Sequence, residues 1–146
     1  MDFIEQNMVG TWEHVSTEGM EQFLSKIGAS PLATSIMLSS TPRLTFEVKG
    51  SEVVSTNVPT PSTDPDILIT YTFKLDQEFE LNLNGLEVQM TVTCSDGKMT
   101  QLVRSQRLHS HRIEFSRHEK QLVQAFCYTD DDGVETKATL KYKRTK

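Results

Sequence analysis

Asp130-Asp131-Asp132-Gly133 has the residue types of a calcium loop, in which closely spaced carboxylates surround a hard cation. A calcium loop built around Gly133 needs an acidic ligand at position 128 and a glutamate at 139, and the sequence has Tyr128 and Thr139 there. The run reads as an acidic hairpin tip. His109 and His111 share one face of a strand, and with His14 or His118 they offer imidazoles to a transition metal. No carboxylate or cysteine stands at a supporting spacing, so no metal is expected. Cys94 and Cys127 are too few for a disulfide framework and fit no metal pattern; they read as buried free thiols. There is no Gly-x-Ser-x-Gly elbow, phosphate-binding glycine loop or zinc-protease helix, so neither catalysis nor a cofactor has support in the sequence.

With chemistry of these kinds set aside, the bulk properties bound what remains. A chain of 146 residues fits a single domain, 1–146, with room for a real core. Its hydrophobic share of 36% and charged share of 24% are those of an ordinary globular protein. Mean hydropathy is −0.40, and the apolar runs stop far short of the roughly 20 residues that span a bilayer. The start, Met1-Asp2-Phe3-Ile4-Glu5, lacks the basic and apolar regions of a secretory signal, which leads to an expectation of a cytoplasmic protein. A net charge of −5 argues against nucleic acid, since Lys141, Lys143, Arg144 and Lys146 make only a local basic patch.

From Arg43 onward, apolar residues recur at every second position, with turn signals about every 8 to 12 residues, the pattern of a sandwich or barrel. In the last such stretch Thr136, Ala138, Leu140 and Tyr142 alternate with Lys137, Thr139, Lys141 and Lys143, so a strand puts one set inside and every lysine outside. Lys49-Gly50-Ser51, Asn84-Gly85, Ser95-Asp96-Gly97 and Asp132-Gly133 supply residues able to take the positive φ of tight hairpins. Ten strands follow, at 8–16, 43–49, 52–58, 67–75, 78–83, 86–94, 98–104, 107–117, 120–129 and 134–144. So regular a meander is expected to close into a barrel, because closure removes exposed edges.

Residues 17–40 break the period. Thr17 is a candidate N-cap for Met20, Phe23, Leu24 and Ile27 at i, i+3, i+4 and i+7, ended by Gly28. Ser30 and Pro31 suit the start of a second short helix with Leu32, Ile36 and Met37 on an apolar stripe. These are expected to be the only helices. Their apolar faces serve equally as core or, in a barrel with a lid, as ligand contacts.

The joints of this order carry a resemblance. Gly10-Thr11-Trp12 opens the first strand, Glu18 to Pro42 follows as a helical insert, Phe73-Lys74-Leu75-Asp76-Gln77-Glu78-Phe79 sits mid-chain, and Tyr142-Lys143-Arg144 ends the last strand. From about Met8 to Arg144 this order and spacing resembles the intracellular fatty-acid-binding protein family of the calycin superfamily. The resemblance implies an all-β fold, a ten-stranded antiparallel up-and-down β-barrel with a two-helix lid between the first and second strands. It also implies a carrier, without catalysis, that holds a long-chain fatty acid, retinoid or neutral lipid inside the barrel. Partners would be that hydrophobic small molecule and, transiently, membranes; a monomer is expected.

Two departures from the family pattern bear on the pocket. Many members end on Arg-x-Tyr, whose arginine and tyrosine grip a carboxylate; here Leu140-Lys141-Tyr142 keeps the tyrosine and replaces the arginine. The family's second internal arginine lies in the eighth strand. In one register Arg112 points inward and supplies the charge, with Gln124 from the next strand; in the other, Ile113 and Phe115 point inward and Arg112 lies outside. The implied ligand contacts are therefore Met20, Phe23, Leu24, Leu32, Ile36, Arg112, Gln124, Leu140 and Tyr142. The second departure is Pro59 to Asp66, a connection longer than the family's short turn at the ligand entrance, whose three prolines cannot join a ladder.

Two other readings compete. A haem-binding β-barrel also opens on Gly-x-Trp but continues with further glycines, where this chain has Glu13-His14-Val15-Ser16. A barrel filled with its own side chains would serve only as an interaction surface.

Overall fold

A computed structural model describes all residues except 1, 40, 59–68, 84–85, 107 and 146. Helix α1 (Asp2–Asn7) leads into β1 (Gly10–Glu18), then α2 (Met20–Ile27) and α3 (Pro31–Ser39) precede nine further strands. These are β2 (Arg43–Lys49), β3 (Glu52–Val58), β4 (Ile69–Phe73), β5 (Phe79–Leu83), β6 (Leu86–Ser95), β7 (Lys98–Ser105), β8 (His111–His118), β9 (Gln121–Thr129) and β10 (Glu135–Arg144). The sheet order is β4-β3-β2-β1-β10-β9-β8-β7-β6-β5, antiparallel at each pairing. The ten-stranded barrel with a helical insert between its first two strands is thus present. Pairing of β1 with β10 joins the two ends of the meander.

The ladder stops between β4 and β5, which end the sheet order. Side chains bridge this seam. Phe73 of β4 stacks on Phe79 of β5 with ring centroids 5.8 Å apart, and Tyr71 stacks on the same ring at 6.1 Å. Stacked aromatics hold two strands together through buried area and ring quadrupoles without backbone hydrogen bonds.

Alternation fixes which side chains meet inside. Along β10, Ala138, Leu140 and Tyr142 are buried, and their partners on β9 are Phe126, Gln124 and Leu122. One contiguous core runs around the barrel wall, including Trp12, Phe46, Val53, Val92, Met99 and Phe115. Burial of such residues is the main favourable term in holding the barrel closed.

The expectation that helices occur only within 17–40 needs correction, because α1 precedes the first strand. Six residues are too few to show a helical period, and an isolated turn of this length is unstable in water. Tertiary contacts hold it: Ile4 and Met8 are fully buried, and the Trp12 Nε1–H donates to the Met8 carbonyl at 2.8 Å. The expected cap also moves. Strand β1 runs through Glu18, and α2 starts after Gly19 at φ 73°. A Cβ on Gly19 would stand 2.7 Å from the Lys137 carbonyl oxygen, so both conformation and space demand glycine there. At the far end Gly28 takes φ 86° and returns its N–H to Leu24 and Ser25, the glycine stop read from the sequence. The Asn84-Gly85 turn and the Pro59 to Asp66 connection lie outside the described residues.

Candidate functional site

Helix α2 lies over one end of the barrel. Met20, Phe23, Leu24 and Ile27 are all buried; Phe23 meets Phe126 of β9 at 5.5 Å and the His111 ring of β8 edge-on at 5.4 Å. The His109 N–H donates to the Ile27 carbonyl at 2.9 Å, which ties the connection before β8 to the helix end. Burial holds His111 below the usual histidine range, opposed by its bond to the His109 carbonyl, so its imidazole is neutral near pH 7.

At the other end α1 packs against Trp12, with Ile4, Met8 and Trp12 fully buried. Two guanidiniums lie on the Trp12 ring, Arg117 at 5.2 Å and Arg144 at 4.8 Å from its centroid. Arg117 also donates to the carbonyls of Asn7 and Glu119, at 3.1 and 3.0 Å. Cation–π contact and carbonyl acceptors together account for cations on inward register positions at an apolar end.

Between these ends, Tyr142 and Gln124 form a buried pair. The Tyr142 hydroxyl donates to Gln124 Oε1 at 2.6 Å, and burial pushes the Tyr142 phenol well above its ordinary range, so it stays neutral. Phe115 and Leu140 stand on either side of Gln124 in the strand register. A second polar group, absent from the sequence reading, sits elsewhere on the wall. Gln101 Nε2 donates to the Tyr71 hydroxyl at 3.0 Å, and Tyr71 also hydrogen-bonds Ser55. The signal was available: Gln101 falls between Met99 and Val103 on the buried parity of β7, and Ser55 follows Val53 on that of β3. The Asn57 side-chain oxygen, also on β3, is buried with no hydrogen-bond partner among the described residues.

Two implied contacts are corrected. Arg112 takes the outward register: its Nε donates to Glu114 at 2.7 Å and its Nη2 to Glu135 at 3.3 Å, while Phe115 is buried and Ile113 packs on the core. Cross-strand pairing decides this, since Phe115 pairs with the inward Gln124. Leu32 is 72% exposed and does not line the interior. Helix α3 carries apolar residues all round, so the sequence cannot say which face turns inward. The side chain of Ile36 is outside the described set. Met20, Phe23, Leu24, Gln124, Leu140 and Tyr142 are buried, in the lid or the wall. At the acidic hairpin, the Asp130 carboxylate accepts the N–H groups of Asp132 and Val134, both at 2.9 Å, which is a turn-forming role.

No family model matches the chain. Fatty acid-binding protein 1 of Fasciola gigantica is 31% identical over 109 residues, which are 73% of this chain and 79% of that protein. The chain belongs to the fatty acid-binding protein family. Solved structures agree in fold with that assignment. Fatty-acid-binding protein 1 of Echinococcus granulosus matches with a TM-score of 0.81 over the whole of both chains at 18% identity. The Schistosoma mansoni fatty acid binding protein in complex with arachidonic acid matches with a TM-score of 0.79 at 23% identity, over 94% of this chain and 96% of that one. Within the fatty acid-binding protein frame, the register partners of Gln124 on both neighbouring strands, Leu140 and Phe115, are apolar.

Proposed function

We propose that this protein carries a long-chain lipid inside its barrel, in the cytoplasm and without catalysis, solubilising the lipid and handing it on. The observation that carries the reading is the Tyr142–Gln124 pair: a hydrogen-bonded polar group buried on the inner wall of a family barrel, of a kind that a lipid head can pair with. An acyl tail gains about 0.8 kcal/mol per buried CH₂, so a long chain supplies roughly 10 kcal/mol before ordering costs. The head contributes about 0.5–1.5 kcal/mol per neutral hydrogen bond. The tail drives binding and the head selects. Met20, Phe23, Leu24, Gln124, Leu140 and Tyr142 are the proposed contacts, with Phe115, Tyr71 and Gln101 added to them.

A second reading has one specific observation in its favour. Phe46 of β2 meets Phe115 of β8 at 5.5 Å, although four ladder steps separate their strands. Such a contact crosses the interior and belongs equally to a barrel packed with its own side chains. Mass spectrometry of an organic extract of the purified protein separates the two readings. Stoichiometric lipid supports the carrier; an empty extract, joined to a failure to bind any added long-chain lipid, leaves a filled barrel.

A further inference from the structure

Building on the carrier reading, we infer that the interior selects long-chain lipids whose head is uncharged and bears hydroxyl or amide groups over the same chains ending in a carboxylate. Four observations converge on it. First, Gln124 is flanked in register by Phe115 and Leu140, both buried, so the polar residue at that level has an apolar neighbour on each side. Second, Arg112 lies on the outer face and is bound to Glu114 and Glu135. Third, the cations on inward positions, Arg117 and Arg144, lie on the Trp12 ring, and Arg117 is further bound to the carbonyls of Asn7 and Glu119. They serve the Trp12 end.

Fourth, what the interior does offer is neutral. The Gln124 amide, the Tyr142 oxygen and the Tyr71–Gln101–Ser55 group present donors and acceptors without net charge. Asn57, on the same parity of β3 as Val53 and Ser55, adds a buried carbonyl oxygen with no partner among the described residues, which a donor from the ligand would satisfy. An ionised carboxylate has acceptors only, so it leaves that oxygen unpaired and brings a charge to a level where the register partners of Gln124, Phe115 and Leu140, are apolar and the described inward cations are held at the Trp12 end. A hydroxyl or primary amide head has both kinds of group. Burial raises the phenols of Tyr71 and Tyr142, so neither becomes an anion that would alter this balance.

The test is displacement of the uncharged probe N-phenyl-1-naphthylamine from the intact protein by oleamide, 1-oleoylglycerol and oleate, which share one tail. At mildly alkaline pH, where the free carboxyl is ionised, the amide and the glyceride should displace it at concentrations about tenfold or more below that of oleate, equivalent to about 1.4 kcal/mol. Lowering the pH towards the fatty acid's own titration should then strengthen oleate and leave oleamide unchanged, because the acid enters neutral. Leu140→Arg should shift the oleate-to-oleamide ratio about tenfold towards oleate. If that variant does not fold, the wild-type pH series decides alone. Oleate binding as well as oleamide at alkaline pH overturns the inference and leaves the carrier reading standing. Failure of the probe and all three lipids to bind overturns both.

Discussion

The Tyr142 hydroxyl and the Gln124 side-chain oxygen lie 2.6 Å apart on adjacent strands, both buried. Removing the donor by Tyr142→Phe leaves the Gln124 carbonyl buried and unpaired, which costs about 1–3 kcal/mol. Urea unfolding of the lipid-free protein should show that loss with an unchanged denaturant slope. Tyr142→Phe combined with Gln124→Leu should regain part of it, since neither group is then orphaned. No recovery in the double variant would mean that the pair does not act as a unit.

The Phe46–Phe115 contact gives a second test. Phe46→Ala should destabilise the lipid-free protein by about 3–5 kcal/mol, as for a large side chain removed from a packed interior. A long-chain lipid that fills the space should recover part of the loss, by an amount that grows with its free concentration. Thermal unfolding of the variant with and without saturating lipid reads this directly. A filled barrel predicts the loss without the recovery.

Two glycines with nearly the same backbone separate conformation from space. Gly19 and Gly97 both sit at φ 73°, but a Cβ on Gly19 meets the Lys137 carbonyl at 2.7 Å while one on Gly97 meets nothing within 4 Å. Gly97→Ala should cost about 1–2 kcal/mol, the left-handed penalty alone. Gly19→Ala should cost clearly more and loosen α2, seen as faster amide exchange at Phe23 and Leu24. Equal losses for the two would show that α2 shifts freely away from β10.

Stability should fall in two separate steps on acidification. Burial holds His111 and His14 below 6.5 in the folded protein, so below that pH the unfolded chain binds more protons and stability drops as the pH falls. Glu114 is displaced below 4.5 by its hydrogen bond with Arg112, so its contribution is present above 4.5 and is lost only below it. His111→Phe should flatten the first step in part, leaving the share due to His14, and should not change the second. Chemical unfolding across the pH range checks this; an unaltered first step in the variant would remove His111 as its source.

These residues also show how far the sequence could be read. The strands were legible because Ala138, Leu140 and Tyr142 alternate with lysines and a period of two admits one inward face. The same period made Arg112 ambiguous, since a shift of one residue exchanges the faces and only the pairing of Phe115 with Gln124 resolves it. Leu32 failed for the opposite reason, since α3 is apolar on every side and gives no direction. Helix α1 is too short to carry a period and exists through Ile4, Met8 and Trp12, a contact across the end of the fold. The Tyr71–Gln101–Ser55 group brings together three strands, of which only β3 and β4 are paired neighbours, so no local window contains it.

Pairing of β1 with β10 sets the order in which the molecule can be made. The Thr145 N–H reaches the Thr11 carbonyl at 2.9 Å, and the Thr145 hydroxyl reaches the same oxygen across 134 positions of chain. The first strand therefore waits for the last, and a nascent chain leaving the ribosome holds Trp12 and the inward residues of β1 without one neighbour until β10 emerges. Contacts this distant in sequence close slowly and leave apolar edges uncovered in the meantime. Chaperone demand during synthesis should thus follow the integrity of β10, and truncation within that strand should raise aggregation of newly made chains more than loss of an equal length from α3.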